Sequence, residues 1–334
     1  MFRRQILTAI IVVMAAASLL TCMAWIGRAG AAQSAIVGGN AIKVSPVRYD
    51  VKLDPGVTQH ISLLVQNLSP VKATFRAHIN DFVAAGDESG RPNVILDDDE
   101  YAPSHSLKRM VPPIGNFTVA AGATKEVKVA IVVPKDAAGG GYYAAVRFAP
   151  ADVDTSENLS LSASVGTLVL LTVNGDIKEN LSIESFDVRK KGVPGTFFMD
   201  NKDLGAVVRF KNSGNVQVEP FGKVTLKRGG KILGQYEIND AKVRGNVLPD
   251  SIRRFNVDLK KLGAFGKYEV EGNFGYGSTG QLLTSHTTFY VIPLYMILIA
   301  VGVVLLVLFL IFVLPRMIRA YNRKVIRRAN RRRY

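Results

Sequence analysis

The stretch that decides the fold is residues 71–80, which read VKATFRAHIN. Apolar and polar side chains alternate through it, so an extended strand here has one apolar face and one polar face. The same alternation recurs at 61–65, 127–133, 255–259 and 268–276. Gly, Pro and Asn separate these runs, and residues 41–290 contain no convincing helical stripe. Many short strands of this kind predict an all-β fold, in which antiparallel sheets bury their apolar faces against each other.

A short internal repeat predicts two such sandwiches in tandem. VQNLS at 65–69 corresponds to FKNSG at 210–214, because each places an Asn between a strand and a turn. Asn with Ser or Gly supplies side-chain hydrogen bonds and tolerates a left-handed backbone. We place the boundary near 174–179, where an apolar strand ends in Asn-Gly-Asp. The predicted sandwiches then span 41–175 and 180–290, and the first carries a long insertion at 83–116.

Both ends of the chain predict export. The charge-free run from Val291 to Leu314 (291–314) would form a transmembrane helix of about 36 Å, enough to cross a hydrocarbon core of about 30 Å. At the other end, Arg3 and Arg4 precede an apolar stretch and the small residues at 29–32, which is the pattern of an export signal with its cleavage site. The predicted signal peptide spans 1–32. Its apolar stretch is long for a signal, so an uncleaved anchor also satisfies the pattern.

The tail at 315–334 is acid-free and predicts the orientation of the chain. By the positive-inside rule this basic flank stays in the cytoplasm, and everything before the membrane helix lies outside. As a helix, the tail would have an apolar side and a basic side, which favours anionic lipid headgroups over RNA or a cytoplasmic partner. The residues assigned to topology and membrane-surface contact are Arg316, Arg319, Arg323, Lys324, Arg327, Arg328, Arg331, Arg332 and Arg333.

Charge and cysteine content exclude several classes of function. The formal net charge is +15, yet twelve of the 42 Lys and Arg lie in the signal and tail, which leaves 30 against all 27 Asp and Glu. The basic excess is therefore a topology signal, and we expect no nucleic-acid partner.

Cys22 is the only Cys and lies in the signal, so the exported part has no disulfide and no thiolate chemistry. An antibody-type core of paired Cys and Trp is excluded.

Motifs for catalysis and metal binding are weak. The four His residues are far apart in sequence and form no zinc or triad signature, so we predict no enzyme and no cofactor. The best carboxylate cluster lies in the insertion, where oxygen ligands would suit Ca²⁺, although the spacing differs from an EF-hand loop and acidic runs are usually solvated. This weak calcium candidate comprises Asp97, Asp98, Asp99 and Glu100. We predict the insertion itself to be a recognition surface rather than core.

Several short motifs resemble the WxL-interacting surface proteins of Gram-positive bacteria. They are SPVR at 45–48, LDPG at 53–56, VQN at 65–67, VPKDA at 133–137 and GGYY at 140–143. The resemblance implies a signal peptide, two Ig-like β-sandwiches and a C-terminal membrane helix with a basic tail. It also implies that the first domain holds the cell wall or a partner surface protein, and that the second holds a host ligand.

Two functions from different classes remain. The first is a non-enzymatic, membrane-anchored bacterial surface protein whose Ig-like domains bind cell-wall polymer or a surface or host partner. The alternative is a chaperone-like assembly factor that lends a strand to an exported client, as the Ig-like pilus chaperones do, since 45–82 has a similar strand plan. Permanent anchoring and the second sandwich favour the first, so we expect an adhesion or envelope protein of the cell membrane.

Overall fold

The computed structural model describes residues 42–151 and 164–331, with the backbone alone for 324–331. The predicted signal peptide lies outside these residues, as do Arg332 and Arg333. The first sandwich contains β1 (Ile42–Ser45), β2 (Arg48–Leu53), β3 (Thr58–Asn67), β4 (Ala73–Ala84), β5 (Pro92–Val94), β6 (Phe117–Val119), β7 (Thr124–Val132), β8 (Gly140–Pro150) and β9 (Val165–Val173). The second contains β10 (Leu181–Lys190), β11 (Val193–Pro194), β12 (Phe197–Phe198), β13 (Leu204–Asn212), β14 (Phe221–Arg228), β15 (Lys231–Ile238), β16 (Ser251–Asp258), β17 (Gly266–Tyr276) and β18 (Gln281–Val291). The helical segments are a 3-10 turn (Lys108–Met110), α1 (Leu294–Leu308), a π-helical turn (Phe309–Val313) and α2 (Leu314–Arg331).

The first sandwich packs a sheet of order β1-β3-β7 against a sheet of order β2-β9-β8-β4-β5, with β6 beside β4. Alternation along β3 shows why these residues form a two-faced strand. Ile61, Leu63 and Val65 are almost fully buried, whereas Ser62 and Leu64 between them are exposed. The buried set meets the apolar face of the opposite sheet, so the predicted all-β architecture of paired sheets is confirmed.

The chain changes sheets at Pro46. β1 pairs antiparallel with β3 in one sheet, and β2 pairs parallel with β9 in the other. The Ser45–Pro46 peptide bond between the two strands is cis. The two short strands thus close one side of the sandwich without a separate connecting segment.

The second sandwich packs the sheet β11-β10-β13-β16 against the sheet β12-β18-β17-β14-β15. Aromatic side chains fill its core. Phe210 and Phe274 meet edge to face with ring centroids 5.1 Å apart, and Tyr268 stacks on Phe289 at 5.2 Å. Such pairs add about 0.5–1.5 kcal/mol each beyond the area that they bury.

The internal repeat marks one buried contact that occurs in both sandwiches. Asn67, at the end of β3, is fully buried and donates from Nδ2 to the carbonyl oxygens of Val71 and Val119 at 2.8 and 3.1 Å. Its Oδ1 accepts from the N–H of Ser69 at 3.0 Å. One side chain therefore closes the turn after the strand and ties that turn to a distant strand.

Asn212, at the end of β13, makes the equivalent set of bonds. Its Nδ2 donates to the carbonyl oxygens of Val216 and Val247 at 2.8 and 2.9 Å, and its Oδ1 accepts from the N–H of Gly214 at 2.9 Å. The interpretation of the repeat as a turn-forming Asn agrees with this geometry. The boundaries given above for independently folding domains stay a prediction.

The insertion at 83–116 is partly core, contrary to the expectation of a surface loop. Leu107 is fully buried and, with Met110, joins the core of the first sandwich. Buried Asp81 fixes this arrangement, since its two carboxylate oxygens accept from the N–H groups of Ala102 and Lys108 at 3.0 and 2.9 Å. The sequence pattern misses this because single apolar residues on an irregular path have no period.

Within the part of the chain that the structure describes, one helix, Leu294–Arg323, is long and apolar enough to cross a membrane, with a mean hydropathy of 3.6. It begins at Leu294 and not at Val291 as predicted, because Val291 is buried at the end of β18, where it pairs with Gly266. The π-helical turn lies directly before Pro315, a residue that has no N–H for the regular helical bond. The predicted C-terminal apolar helix is confirmed by its length and composition.

Asn212→Ala should destabilise the second sandwich by about 2–3 kcal/mol, because it removes three buried hydrogen bonds and leaves the Val216 carbonyl and the Gly214 N–H without that partner, while the Val247 carbonyl keeps only the N–H of Val218. Thermal unfolding of the full chain in detergent, followed by circular dichroism, measures the change. Asn180→Ala is the matched control, since Asn180 lies at the same corner but is exposed and bonds only to Ser213. Equal melting temperatures for the two variants would contradict a structural role for the buried Asn.

Candidate functional site at the open end of β9

The first residues of β9 have a strand partner on one side only. β8 pairs with β9 along its whole length, from Val165 to Val173. On the other side, β2 pairs with it only from Leu168 onward, where Arg48 is the first partner. Within the described residues, the segment from Val165 to Thr167 therefore presents an open strand edge.

The open edge exposes the backbone of Gly166. The N–H of Leu168 donates to the Val47 carbonyl oxygen at 2.9 Å, so the backbone of Leu168 points toward the β2 side. Backbone direction alternates along a strand, and Gly166 therefore points to the same side, where no described strand lies opposite. A side chain is excluded at this position, because a Cβ would lie 2.4 Å from the Val146 carbonyl oxygen. Gly166 thus offers one donor and one acceptor to an added strand.

The change of sheets at Pro46 explains why the edge is open. Pro46 has no N–H with which to extend the β2 ladder. Its carbonyl oxygen accepts a hydrogen bond from the Thr167 hydroxyl at 2.6 Å instead of from a backbone group. The residues before Pro46 belong to the other sheet, so β2 cannot extend in that direction to cover the first residues of β9.

β9 also lacks the charges that usually protect strand edges. Exposed charged side chains, especially Lys, prevent edge strands from pairing with foreign chains. Residues 164–173 contain no charge, whereas β2 and β7 carry Arg48, Asp50, Lys52, Lys125, Glu126 and Lys128. The sequence just upstream, LSLSA at 159–163, keeps the apolar alternation but lies outside the described residues. By this criterion, the β9 edge is suited to strand addition and the edges of β2 and β7 are not.

Apolar side chains join β9 to the second sandwich. Leu168 and Leu170 lie in a cluster with Phe82 and Tyr143, and Leu248 of the second sandwich packs against that cluster. A cavity of about 130 Å³ is lined by Phe82, Leu168, Leu170 and Leu248, together with polar residues of both sandwiches. The junction of the two sandwiches is therefore adjacent to the open edge and shares a strand with it.

Three guanidinium groups border this cavity, and that of Arg91 is exposed and paired with Asp87 at 2.7 Å. The other two are only partly exposed. Arg48 donates to Asp50 at 2.7 Å and to Glu219 at 2.8 Å, so its charge is balanced. Arg253 donates to the Asn246 carbonyl oxygen at 2.7 Å, while its buried Nε has no partner among the described residues. Burial, followed by the nearby charge of Arg48, lowers the pKa of Arg253. Without a carboxylate partner, Arg253 is the more weakly compensated of the two charges.

Polar contacts also cross the junction. The Tyr143 hydroxyl donates to Gln217 Oε1 at 2.9 Å, and burial raises the pKa of this phenol, so it stays neutral and acts as a donor. The Asn215 side chain donates to the carbonyl oxygens of Gly139 and Asp176 at 3.0 and 2.7 Å. The predicted boundary segment is thus held from both sides.

The tip of the insertion forms an ion pair with the second sandwich. Glu88 accepts from Arg209 in a two-point contact, with Nε to Oε2 at 2.8 Å, and its carbonyl oxygen accepts from the N–H of Arg254 at 2.9 Å. Its backbone is left-handed, with φ of 59°, a conformation that the surrounding contacts must stabilise in a residue with a side chain. The hydrogen bond from Arg209 lowers the pKa of Glu88 below its ordinary value.

The calcium candidates do not converge on a common point. Asp98 accepts from His78 at 2.9 Å and from Asn80 at 3.2 Å. Burial acts to raise the pKa of Asp98, but those two hydrogen bonds outweigh it, and the pKa is lowered. Lys108 Nζ contacts the carbonyl oxygens of Asp98 and Glu100, the latter at 2.8 Å, so an ammonium lies among the oxygen atoms.

The other acidic side chains of the run point elsewhere. Asp97 accepts from the N–H of Asp99 at 2.9 Å and so closes a local turn. No group of three His, Cys, Asp or Glu in the described part of the chain could hold a metal ion. The calcium site remains a prediction for which these contacts give no support.

The described tail residues are exposed on α2. Arg316, Arg319 and Arg323 are exposed, and Arg316 donates to the Phe312 carbonyl oxygen at 3.0 Å. The side chains of Lys324, Arg327, Arg328 and Arg331 lie outside the described residues. The role assigned to the tail in topology stays a prediction.

Sequence reasoning did not identify the open edge or the Glu88–Arg209 pair. The edge depends on where β2 begins, which is a property of sheet pairing. A signal for it was present, since the charge-free alternation through 159–173 differs from the charged strands around it. The ion pair joins residues 121 positions apart, and no local pattern predicts such a contact.

No family model matches the chain, and no curated protein does. Solved structures with a similar fold include the class 5 fimbrial chaperone CfaA, with 14% identity over 76% of this chain and all of that one and a TM-score of 0.39. The CsuC–CsuE chaperone–tip adhesin complex of Acinetobacter baumannii matches with 13% identity over 73% of this chain and 97% of that one, at a TM-score of 0.35. The E. coli chaperone DraB matches with 14% identity over 75% of this chain and 98% of that one, at 0.33. At these values the likeness concerns the fold alone, an Ig-like β-sandwich architecture.

These neighbours overturn the first of the two predicted functions. A module that binds cell-wall polymer or a host partner was expected, but the similar structures are fimbrial chaperones. The first prediction went wrong because it took permanent anchoring and the second sandwich as signs of adhesion, and an assembly factor can have both.

Glu88→Gln should weaken the junction by about 1–3 kcal/mol, because the neutral amide replaces the charged partner of Arg209. A lowered carboxylate pKa stabilises the fold at pH above the unfolded value, and this stabilisation is lost as the pH falls through the folded value. The difference between wild type and Glu88→Gln should therefore disappear in acid. Thermal unfolding of the full chain at a series of pH values measures it.

Asp87→Asn is the matched control for this experiment. Asp87 lies in the same turn, but its contacts are local, to Ser89 and Arg91. It should leave the junction unchanged at neutral pH. The account is wrong if Glu88→Gln and Asp87→Asn behave alike, or if the effect of Glu88→Gln persists unchanged in acid.

Proposed function

We propose that this chain is a non-enzymatic assembly factor that holds an exported client protein by strand addition at the open end of β9. The observation that supports the proposal most is the uncharged edge from Val165 to Thr167, which has no partner on its outer side among residues 42–151 and 164–331 and where Gly166 points outward. An extended segment added to such an edge gains affinity from main-chain hydrogen bonds and specificity from alternate side chains. The client class is an exported surface subunit with an incomplete or exposed sheet.

The small number of hydrogen bonds limits the affinity that the described edge alone can provide. A backbone hydrogen bond contributes about 0.5–1.5 kcal/mol net, so the two or three bonds at this edge give about 2–4 kcal/mol. That corresponds to millimolar affinity or weaker. Useful binding therefore requires apolar side chains in addition, and the alternation at 159–163 supplies residues of the right type in sequence.

We also propose that the helix at Leu294–Arg323 anchors the factor in the cell membrane, with the sandwiches outside and the basic tail in the cytoplasm. Its length and hydropathy support this placement. A membrane-tethered factor stays where exported clients emerge, whereas a soluble one diffuses away. Kinship with the WxL-interacting proteins belongs to this proposal and rests on the short motifs alone.

Ser164→Pro should reduce client binding about tenfold. By the same alternation that orients Leu168, the N–H of Ser164 points to the open side, and proline removes it. Loss of this bond and of its neighbour costs about 1.4 kcal/mol, a factor of ten in affinity. Chemical crosslinking in the native host, with mass spectrometry of the adducts, should identify an exported protein joined to the first sandwich, and the yield of that adduct is the quantity compared.

Lys128→Pro is the matched control. The N–H of Val133 donates to Val57, toward β3, so the N–H of Lys128 points outward from the charged edge of β7. Ser164→Pro also removes the hydrogen bond that Ser164 Oγ accepts from Arg147 at 2.7 Å, so Ser164→Ala, which loses that bond but keeps its N–H, should retain the adduct. Ser164→Pro and Lys128→Pro should both retain the wild-type melting temperature to within a few degrees. Equal loss of the adduct in both, or no loss in Ser164→Pro, would show that the client binds elsewhere.

Replacing the nine basic tail residues by Gln should give mixed topology. Lys and Arg cost about 2.5–3.5 kcal/mol each at a helix centre, so the natural tail resists translocation and the neutral one does not. Labelling of the sandwiches from outside intact cells measures the fraction that is correctly oriented. A tail with every Arg changed to Lys keeps the charge and should behave as wild type, while unchanged labelling of the Gln tail would show that another feature sets the orientation.

A further inference from the structure

A group of large apolar side chains is exposed at one end of the second sandwich. Val193, Phe197 and Met199 are 67%, 67% and 64% exposed. They belong to the segment from Val193 to Met199, which contains β11 and β12 and which we call the basal loop. Isolated apolar residues on a surface are ordinary, but three large exposed ones within seven residues of one short segment call for an explanation.

The basal loop is fixed to the place where the chain leaves the sandwich. β12 runs parallel to the last residues of β18, and Phe197 stacks on Tyr290 with ring centroids 5.0 Å apart and planes 12° from parallel. The N–H of Ile292 donates to the Phe198 carbonyl oxygen at 2.8 Å. α1 begins two residues later at Leu294, which is about 7 Å further along the chain at about 3.3 Å per residue.

The basal loop therefore lies at the same height along the membrane normal as the start of the candidate membrane helix. The first residues of that helix, Leu294 and Tyr295, are themselves exposed and apolar or aromatic. A helix that crosses the bilayer begins at the boundary between headgroups and acyl chains, where aromatic rings are enriched. Exposed Lys191 and Lys267 flank the loop, and basic side chains at this level suit anionic headgroups.

We propose that the basal loop inserts into the outer headgroup region of the bilayer that α1 crosses. Phe197 and Met199 enter the boundary with the acyl chains, to the depth of about 5–10 Å that amphipathic segments reach. The hydrogen bond from Ile292 to Phe198 holds the loop and the start of the helix together. The second sandwich therefore contacts the membrane directly and is not joined to it by a flexible linker. The inference goes beyond the proposed function, since it concerns lipid contact and not the client.

Tryptophan fluorescence tests the insertion in the full chain. Trp25 is the only Trp, so a Trp25→Phe background gives a single reporter when Phe197→Trp is added. In nanodiscs of phosphatidylcholine and phosphatidylglycerol, emission from this reporter should be shifted to the blue. Most of it should be lost when the lipid chains are brominated. Met199→Trp is a second reporter in case the stack with Tyr290 tolerates Trp poorly.

Leu282→Trp in the same background is the matched control. Leu282 is 79% exposed on β18, eight residues before Tyr290, which places it about 26 Å away along the strand. Its emission should remain red and should not be quenched by bromine. Equal quenching at 282 and at both basal positions, whether weak or strong, would overturn the proposal. So would basal reporters that are shielded from a water-soluble quencher but not quenched by lipid, since a protein would then cover the loop.

Discussion

Burial of alternating apolar side chains between paired sheets is the constraint on which the rest of this structure depends. Cys22 is the only cysteine, so no disulfide joins the sheets of either sandwich. Where many small secreted domains use a covalent bond, each sandwich here has a fully buried Asn that ties the end of a strand to a distant segment. Three corresponding hydrogen bonds of each Asn side chain fix the corners, and aromatic and aliphatic side chains pack the rest of each core.

The change of sheets between β1 and β2 creates the candidate site. Because the chain changes sheets at Pro46, β1 pairs in one sheet and β2 in the other. β2 begins opposite Leu168 and so does not cover the beginning of β9. The residues that remain uncovered carry no charge, and one of them is a glycine whose backbone points outward. Behind them, Leu168 and Leu170 contact the second sandwich through the junction. A strand added at this edge would therefore lie beside the junction that Glu88 and Arg209 stabilise.

The periodic features of the fold could be predicted from the sequence, and its irregular features could not. The strand at 71–80, the repeated Asn and the apolar C-terminal helix each depend on local patterns, and the structure has all three. The burial of Leu107 beneath an irregular insertion, the pairing of Glu88 with Arg209 and the early end of the β2 ladder are products of long-range packing. The calcium prediction rests on the composition of the acidic run, which does not show that Lys108 and His78 contact its oxygen atoms.

Amide hydrogen exchange of the full chain, alone and with its crosslinking-identified client, tests the central claim most directly. The account predicts that Ser164 and Gly166 exchange rapidly in the free chain and become protected when the client is bound. The outward amides of β7, such as that of Lys128, should not change. Protection at β7 or on the second sandwich, with Ser164 and Gly166 unaffected, would contradict strand addition at β9.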